Sequence, residues 1–551
     1  MATAAALDSQ SVPDQLSGRP RLDAPSHPAA KWIFAIMLVG GFLYAGWSVL
    51  TDTAGVGETL AVGVFAFLAL ALLIALGFEF VNGFHDTANA VATVIYTNSM
   101  PAHLAVVWSG FFNFLGVMAS SGAVAYSIIT LLPVDLILNV GSSSGFAMIF
   151  ALLLAAVIWN LATWYVGLPN SSSHTLIGSV LGVGVANQLI SAGAKGGTAG
   201  VDWSQAQKVL TGLWMAPLIG FGAALLLLFV MRRVMRNPRL HTSPAPGAPP
   251  PRGIRALLVF TCTAVSFAHG SNDGQKGMGL IMLILIGCAP TAYALNRTLP
   301  ASATPAFVQS AHQAAAAFDA RANGIAVPLD QARTVMTEAL QARKVDSPRA
   351  FAAMAVTTRD LAQRVSGYGS IRAVPASATS NLRNDMYLVL DTSKLATKGA
   401  DAESRLGGAP QLKAIKDYQA LLEDGTRFIP LWVKITVAIA LGLGTMVGWK
   451  RIVVTVGEKI GKQHMTYGMG ATAELVAAGT ILAADRFGLP VSTTHILSSG
   501  VAGASVANGS GLQARTIRHL AMAWLLTLPV AMALSGFLYW VMLSIARATG
   551  A

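Results

Sequence analysis

Two aspartates stand in short polar motifs that occur twice in the sequence. The first copy reads GFHDTANA over residues 83–90, and the second reads GSNDGQKG over residues 270–277. Asp86 and Asp273 occupy the same place in the two copies, and both lie within or beside apolar segments. A carboxylate in such a segment is costly and is usually kept for a function. We therefore predict a functional role for both, with a structural pair that ties the two copies together as the alternative.

A second pair of motifs carries hydroxyl groups. GLPNSSSH spans residues 167–174 and GLPVSTTH spans residues 488–495, so that each hydroxyl triplet follows a proline and opens an apolar segment. Hydroxyls and free backbone N–H groups at a helix N-terminus form a ready site for an anion. Plain N-capping is the alternative. Because the triplet occurs twice, we predict anion binding by Ser171, Ser172, Ser173, Ser492, Thr493 and Thr494.

Three further residues could handle protons. His174 and His495 directly follow the triplets, and Glu79 lies seven residues before Asp86, on the same face of a helix. Adjacent helical residues point roughly 100° apart, which makes Ser173 and His174 a poor nucleophile–base pair. Each histidine is predicted to brace its helix or to carry protons, and Glu79 to handle protons or to form an ion pair. An intramembrane Ser/His hydrolase is a weak alternative, and we predict no enzymatic activity.

The two copies belong to a duplication of similar halves. Asp86 and Ser171 are 85 residues apart, whereas Asp273 and Ser492 are 219 apart, and the excess nearly equals the length of a polar stretch at 290–428. Without that insert the halves have similar lengths. Gly, Pro and Ser inside the apolar segments indicate broken helices, which are tolerated at membrane depth only around a buried or watered site.

Composition places the chain in a membrane. It is 54% hydrophobic and only 11% charged, whereas soluble domains carry about 25% charged residues. Basic residues cluster at the ends of apolar segments, so the net charge of +12 indicates positive-inside topology rather than nucleic-acid binding. The apolar segments lie at about 33–50, 59–84, 104–132, 145–167, 175–190, 210–231, 256–287, 431–448, 466–484, 496–508 and 520–545.

These patterns predict an all-α integral membrane protein with two inverted-topology repeats, about 10–12 membrane segments with broken helices or re-entrant hairpins, and a helical soluble insert. The predicted parts are a disordered cytoplasmic tail (1–30), repeat 1 (31–235), a cytoplasmic linker (236–255), repeat 2 in two pieces (256–289 and 429–551) and a periplasmic insert (290–428). The N-terminus is expected inside, and the C-terminus outside, a bacterial inner membrane.

The doubled motifs resemble those of the inorganic phosphate transporter (PiT) family. The segment 448–462, with Thr455-Val456-Gly457 at its core, is also similar to a family segment. The resemblance covers about 33–289 and 429–545. It implies that both aspartates, the neighbouring asparagines Asn89 and Asn272, and the hydroxyl triplets converge on phosphate and its coupling cations.

Two residues depart from the family pattern of Gly-x-Asn-Asp followed by Asn. His85 stands where Asn is usual in the first copy, and Lys276 stands where the first copy has Asn89. The departures resemble the low-affinity bacterial branch, in which a proton is the coupling ion and a neutral divalent metal–phosphate complex can be the cargo. We therefore expect a proton, rather than sodium, as the coupling ion. Cation coupling is assigned to Asp86, Asn89, Asn272, Asp273, Lys276, His85 and Glu79.

The predicted function is import of inorganic phosphate by cation symport through alternating access. Transport of another oxyanion such as sulfate is the alternative. No cofactor and no dedicated metal site is expected, although a metal–phosphate complex would sit at Asp86 and Asp273. The expected partners are phosphate and the lipid bilayer but no nucleic acid, and a homodimer is left open. Lys276 is predicted to act as a built-in cation, with snorkelling to the outer surface or a direct phosphate contact as alternatives.

Overall fold

A computed structural model describes residues 28–549 except Pro133, residues 193–200, Asp202, Arg236, Pro246 and Gly247, together with Pro20 and Leu22. The described residues form helices and no β-strand. The first half contains α1 (Pro28–Gly55), α2 (Val62–Tyr96), α3 (Ala102–Ala119), α4 (Ala123–Ile129), α5 (Val134–Leu138), α6 (Ser143–Tyr165), α7 (Ser172–Ala192) and α8 (Trp203–Val234).

The second half is divided by the insert. It begins with α9 (Arg252–Cys288) and resumes with α17 (Leu431–Gly444), α18 (Trp449–Glu458), α19 (Tyr467–Arg486), α20 (Thr493–Asn508) and α21 (Ala514–Thr549). The insert itself contains α10 (Pro290–Tyr293), α11 (Thr304–Ala322), α12 (Leu329–Gln341), α13 (Pro348–Gly367), α14 (Ala376–Ala396), α15 (Ala402–Leu406) and α16 (Ala409–Thr426).

Eight helices of the described chain are long and apolar enough to cross a membrane. They are α1, α2, α3, α6, α8, α9, α19 and α21, and the bent pair α16–α17 would make a ninth span. The prediction of an all-helical, multi-span protein is therefore confirmed. The remaining predicted membrane segments are α7 and α20, which follow α6 and α19 after sharp breaks and form the second arms of two hairpins.

One apolar segment that we predicted as a single run is broken at a Ser-Ser-Gly sequence, residues 120–122. Residues 104–132 read as a single run, but α3 ends at Ala119 and α4 begins at Ala123. Gly122 has a left-handed backbone (φ 87°), a conformation that glycine adopts without steric cost. The break places α4 across the end of the α19–α20 hairpin, where Ala123 lies against Gly488.

The two halves pack on each other reciprocally. Helix α3 packs on α9 and α17 packs on α2, while α7 packs on α21 and α20 packs on α8. The short helices follow the same rule, since α4 packs on α9 and α18 packs on α2. Exchanging the two halves therefore turns each contact into another observed contact. The opposite orientation of the halves across the bilayer stays a prediction.

Glycines bring the crossing helices into backbone contact at matched places. A Cβ added at Gly444 of α17 would lie 2.1 Å from the carbonyl oxygen of Phe80, and one at Gly116 of α3 would lie 2.1 Å from that of Phe267. Phe80 and Phe267 are separated by the same offset as Asp86 and Asp273. Small residues at such crossings allow close helix approach in membranes. These crossings fix where Asp86 and Asp273 lie along the direction of the helices.

The insert is a helical bundle that rests on the membrane helices. The predicted helical stretches Thr304 to Arg321 and Gln331 to Arg343 correspond to α11 and α12. Helix α14 attaches the bundle to the first half, because Arg383 donates to the carbonyl of Ile137 (3.1 Å) and Asn384 to that of Leu138 (3.3 Å). The insert therefore has a defined position over the membrane part.

Candidate anion and cation site

The two motif aspartates meet inside the protein. One oxygen of each carboxylate and a ring nitrogen of His269 lie within 4.8 Å of one another. The Nε2 atom of His269 is 3.5 Å from Oδ2 of Asp86 and 3.5 Å from Oδ2 of Asp273. Asp86 is 3% exposed and Asp273 is 0% exposed. The structure thus brings together the two residues that the duplication singled out.

His269 is a site residue that sequence reasoning missed. It lies one helical turn before Asp273, so both side chains share a face of α9. Its Nδ1 is 2.5 Å from Oδ1 of Asn113, whose Nδ2 donates to the carbonyl of Ser109 (3.0 Å). The sequence feature that could have identified His269 is a histidine within an apolar run, four residues before a motif aspartate.

Lys276 is fully buried and does not reach a surface. Its exposure is 0%, and its Nζ lies 2.6 Å from Oδ2 of Asp273. This position contradicts the snorkelling alternative, because the ammonium turns toward the carboxylate one turn earlier on α9 instead of toward solvent. Lys276 thus places its ammonium beside Asp273, where it offsets the charge of that carboxylate.

Glu79 lies against the glycine that follows Lys276. A Cβ at Gly277 would be 2.3 Å from Cγ of Glu79, so the carboxylate side chain occupies the space that this glycine leaves open. Glu79 is 0% exposed, and its Oε2 is 3.5 Å from Nδ2 of Asn82. The structure therefore holds Glu79 inside the protein, next to the second motif.

The hydroxyl triplets divide into caps and inward-facing groups. Ser171 and Ser492 accept hydrogen bonds from the backbone N–H groups of His174 and His495, each at 3.1 Å, as N-caps do. The middle hydroxyl of the first triplet, Ser172, faces the acids instead. Its Oγ is 3.4 Å from Oδ2 of Asp86 and 3.3 Å from Oδ2 of Asp273.

The two hairpin ends also touch each other. Thr494 donates a hydrogen bond to Asp86, and Ser173 donates to the carbonyl of Val491 (2.6 Å). Thr493 is buried in the same region. The positive ends of α7 and α20 therefore converge on Asp86 and Asp273.

His85 and Asn272 hold the hairpins from matched motif positions. His85 Nε2 lies 2.7 Å from the carbonyl oxygen of Asn160 in the first hairpin. Asn272 Nδ2 donates to the carbonyl of Leu489 (3.2 Å) in the second, and its Oδ1 is 3.5 Å from the N–H of Val491. Neither side chain is directed at the carboxylates in these contacts. Both residues position the hairpins here, while their part in cation coupling stays a prediction.

The rings of the two histidines that follow the triplets contact each other. The ring centroids of His174 and His495 are 4.5 Å apart, and His495 lies 4.2 Å from Trp524. His174 Nδ1 also contacts Oγ of Ser171 at 2.8 Å. These contacts support the bracing interpretation. The side chain of Asn89 lies outside the described residues.

The charged groups of this cluster lie close enough to affect one another. One oxygen of each carboxylate lies within 4.8 Å of the other, so at an effective dielectric constant of about 20 two ionised carboxylates repel by at least about 3.5 kcal/mol. Lys276 offsets one carboxylate, which leaves one negative charge opposite two helix N-termini that favour anions.

Buried acids, a lysine and two helix N-termini at the meeting of broken helices define a membrane transport protein. The sequence profile of the phosphate transporter family matches residues 82–535, and the chain belongs to that family. This membership agrees with the prediction that the chain is not an enzyme.

Individual relatives cover nearly the whole chain. The low-affinity inorganic phosphate transporter PitA of Escherichia coli strain K12 is 41% identical over 515 residues, which are 88% of this chain and 98% of PitA. PitB of the same organism is 40% identical over 509 residues, 88% of this chain and 99% of PitB. A solved structure titled the sodium-dependent phosphate transporter is 20% identical with a TM-score of 0.47, covering 87% of this chain and 100% of its own.

Proposed function

We propose that the protein imports inorganic phosphate together with a cation. The observation that carries the proposal is the convergence of two hydroxyl-bearing helix N-termini on Asp86 and Asp273. Hydroxyls and backbone N–H groups are the donors that an oxyanion needs, and the carboxylates are acceptors for a proton or metal ion. The names of the PitA and PitB relatives support phosphate as the anion.

Coupling follows from the charges of the site. An ionised carboxylate about 4 Å from a phosphate oxygen costs about 4 kcal/mol at an effective dielectric constant of about 20. A cation bound at the aspartates removes or reverses this repulsion. Phosphate then binds well only when the cation is present, and by linkage the cation binds better in the presence of phosphate.

We propose a proton as the coupling ion, with Lys276 as a built-in cation. The ammonium lies 2.6 Å from Asp273, in the place where a sodium ion would otherwise be attracted most strongly to this carboxylate. The remaining acids and His269 are groups that can exchange a proton. A divalent metal–phosphate complex is the alternative cargo, whose metal would face the oxygen and nitrogen donors of Asp86, Asp273 and His269.

Alternating access would use the two hairpins as gates. Residues 488–491 separate the aspartates from the side of the insert, with Gly488 packed on Ala123 of α4. Residues 167–170 lie at the end of the other hairpin, where Thr455 of α18 donates to the carbonyl of Gly167 (3.1 Å). We propose that each short helix releases its hairpin in turn, in an inner membrane with the insert on the periplasmic side.

Uptake by proteoliposomes tests the proposal. Phosphate uptake is measured while sodium, the proton gradient and a divalent metal are varied separately, with sulfate as a competitor. Proton-coupled symport predicts uptake without sodium, acceleration by an inward proton gradient and little competition by sulfate. Strict dependence on sodium would reject the proton, equal uptake of sulfate would reject phosphate selectivity, and metal uptake in proportion to phosphate would favour the metal–phosphate cargo.

A further inference from the structure

A cavity of about 690 Å³ lies between the insert and the membrane helices. Its walls come from α14 and α16 of the insert on one side and from α4 and the start of α8 on the other. Gly488 and Leu489, at the end of the second hairpin, also line it. The insert therefore covers a cavity that extends to the turn between α19 and α20.

The lining of this cavity is predominantly basic. It contains Lys208, Arg343, Lys394, Lys398, Arg427 and Arg486, against three acids, Asp391, Glu423 and Asp424. Lys394 pairs with Glu423, and Arg427 pairs with Asp391 at 3.1 Å. Within the described part of the chain, Lys208, Lys398 and Arg486 form no ion pair, and all three are exposed. With six basic side chains against three acids, the described lining of the cavity carries a net positive charge.

One short segment separates this cavity from the aspartate pair. The carbonyl of Leu489 accepts a hydrogen bond from Asn272, the residue before Asp273. Two residues further on, the carbonyl of Val491 accepts from Ser173 of the first triplet. An anion in the cavity would therefore need only a displacement of residues 488–491 to reach the triplets.

We propose that the insert forms a basic vestibule that collects phosphate and delivers it to the second hairpin. The inference rests on the proposed function and gives the insert a role within it. Clefts lined by one sign of charge, with low-dielectric walls, concentrate counter-ions and raise association rates by roughly 10- to 1,000-fold. The acids at the transport site repel the anion, so a collecting field outside the gate offsets that repulsion during entry.

Charge reversal at Lys208 and Lys398, the two exposed lysines that we call the rim, tests the vestibule. The full-length variants Lys208→Glu and Lys398→Glu are reconstituted, and inorganic phosphate uptake is measured in vesicles whose insert faces the added phosphate. At about 10 Å in water, one reversal should weaken attraction of a monoanion by about 4-fold. We expect KM to rise by about this factor at low salt, the maximal rate to stay unchanged, and the effect to shrink above about 0.5 M salt.

Lys416→Glu is the matched control. Lys416 is an exposed residue of α16 outside the cavity lining, and its reversal changes the net charge of the protein equally. An equal rise in KM for this control, or unchanged KM in both rim variants, would overturn the vestibule. So would an effect that disappears in purely zwitterionic vesicles, which would assign the cavity to an anionic lipid headgroup. Absence of phosphate uptake by the wild-type protein would instead reject the proposed function.

Discussion

Lys276 and Asp273 form an ion pair one helical turn apart on α9, 2.6 Å between Nζ and Oδ2, with neither residue exposed. The pair places a permanent positive charge inside a site that we propose for an anion and its coupling cation. A lysine that pairs in this way differs from one that reaches the membrane surface, because its charge stays within the transport pathway.

Lys276→Asn should therefore lose most phosphate uptake, and wild-type uptake should need no sodium. Removing one partner of a buried pair costs about 3–5 kcal/mol. The amount of folded protein in the membrane is therefore checked for each variant. The double variant Lys276→Met with Asp273→Asn removes both charges of the pair, and should restore stability without restoring transport. Lys434→Asn is the control, since Lys434 is a half-buried membrane lysine whose Nζ donates to the carbonyl of Ser120 (2.8 Å). Normal sodium-free transport by Lys276→Asn would disprove the built-in cation.

Asp86→Asn and Asp273→Asn should each abolish coupled uptake while the protein remains folded in the membrane. The amide keeps the shape of the carboxylate but cannot take up a proton or neutralise a cation. Uptake is measured beside Asp52→Asn, a membrane carboxylate that instead accepts hydrogen bonds from Tyr293 (2.9 Å) and Trp432 (3.0 Å). Normal phosphate accumulation in either motif variant, at equal protein level, would end the assignment.

The hydroxyl triplets should separate into two kinds of effect. Ser172→Ala removes a hydroxyl that faces the acids and should weaken phosphate affinity by about 10- to 150-fold, the value of about 1.5–3 kcal/mol for a bond to a charged group. Ser171→Ala removes an N-cap, and should cost about 1 kcal/mol of stability with a smaller effect on affinity.

Phosphate binding and thermal stability are measured on both serine variants, and Thr493→Ala extends the comparison to the second triplet. If affinity is unchanged throughout an alanine scan of both triplets, the hydroxyls serve as helix caps alone.

The insert should face the periplasm. Cys262 and Cys288 are buried and form no disulfide in the structure, so both are replaced by alanine and new cysteines are introduced at exposed positions. Lys416→Cys in the insert should react with a membrane-impermeant maleimide in intact cells. Thr242→Cys in the linker at 236–255 should react only after the membrane is permeabilised. The reverse labelling pattern would overturn the predicted topology.

Gly83→Ala should destabilise the crossing of α2 and α17. The added Cβ would lie 2.6 Å from the carbonyl oxygen of Leu441 and 2.8 Å from the carbonyl carbon of Gly444, and backbone cannot yield as a flexible side chain would. Gly77→Ala on the same helix meets nothing within 4 Å and should be neutral or stabilising by about 0.5–1 kcal/mol. Melting of the detergent-solubilised variants compares the two, and equal melting temperatures would contradict the backbone contact.

Some features of the protein follow from the sequence alone because they depend on local composition or on repetition. Long apolar runs have few alternatives to membrane helices. The motifs that contain Asp86 and Asp273 recur with matched triplets, and their resemblance to a known family implied that they converge. The helices of the insert follow from ordinary helical patterns, as α11 and α12 show.

Tertiary structure decided what depends on the direction of a side chain and on its distant neighbours. Sequence left Lys276 between a buried cation and a snorkelling residue, and the choice depended on whether the face of α9 that carries Asp273 and Lys276 is buried inside the protein. It could not separate Ser171 as a cap from Ser172 beside the acids, because adjacent residues differ only by rotation about the helix axis. The basic cavity combines Lys208 of α8 with Lys398 beyond α14, and only folding brings residues so far apart in sequence to one space.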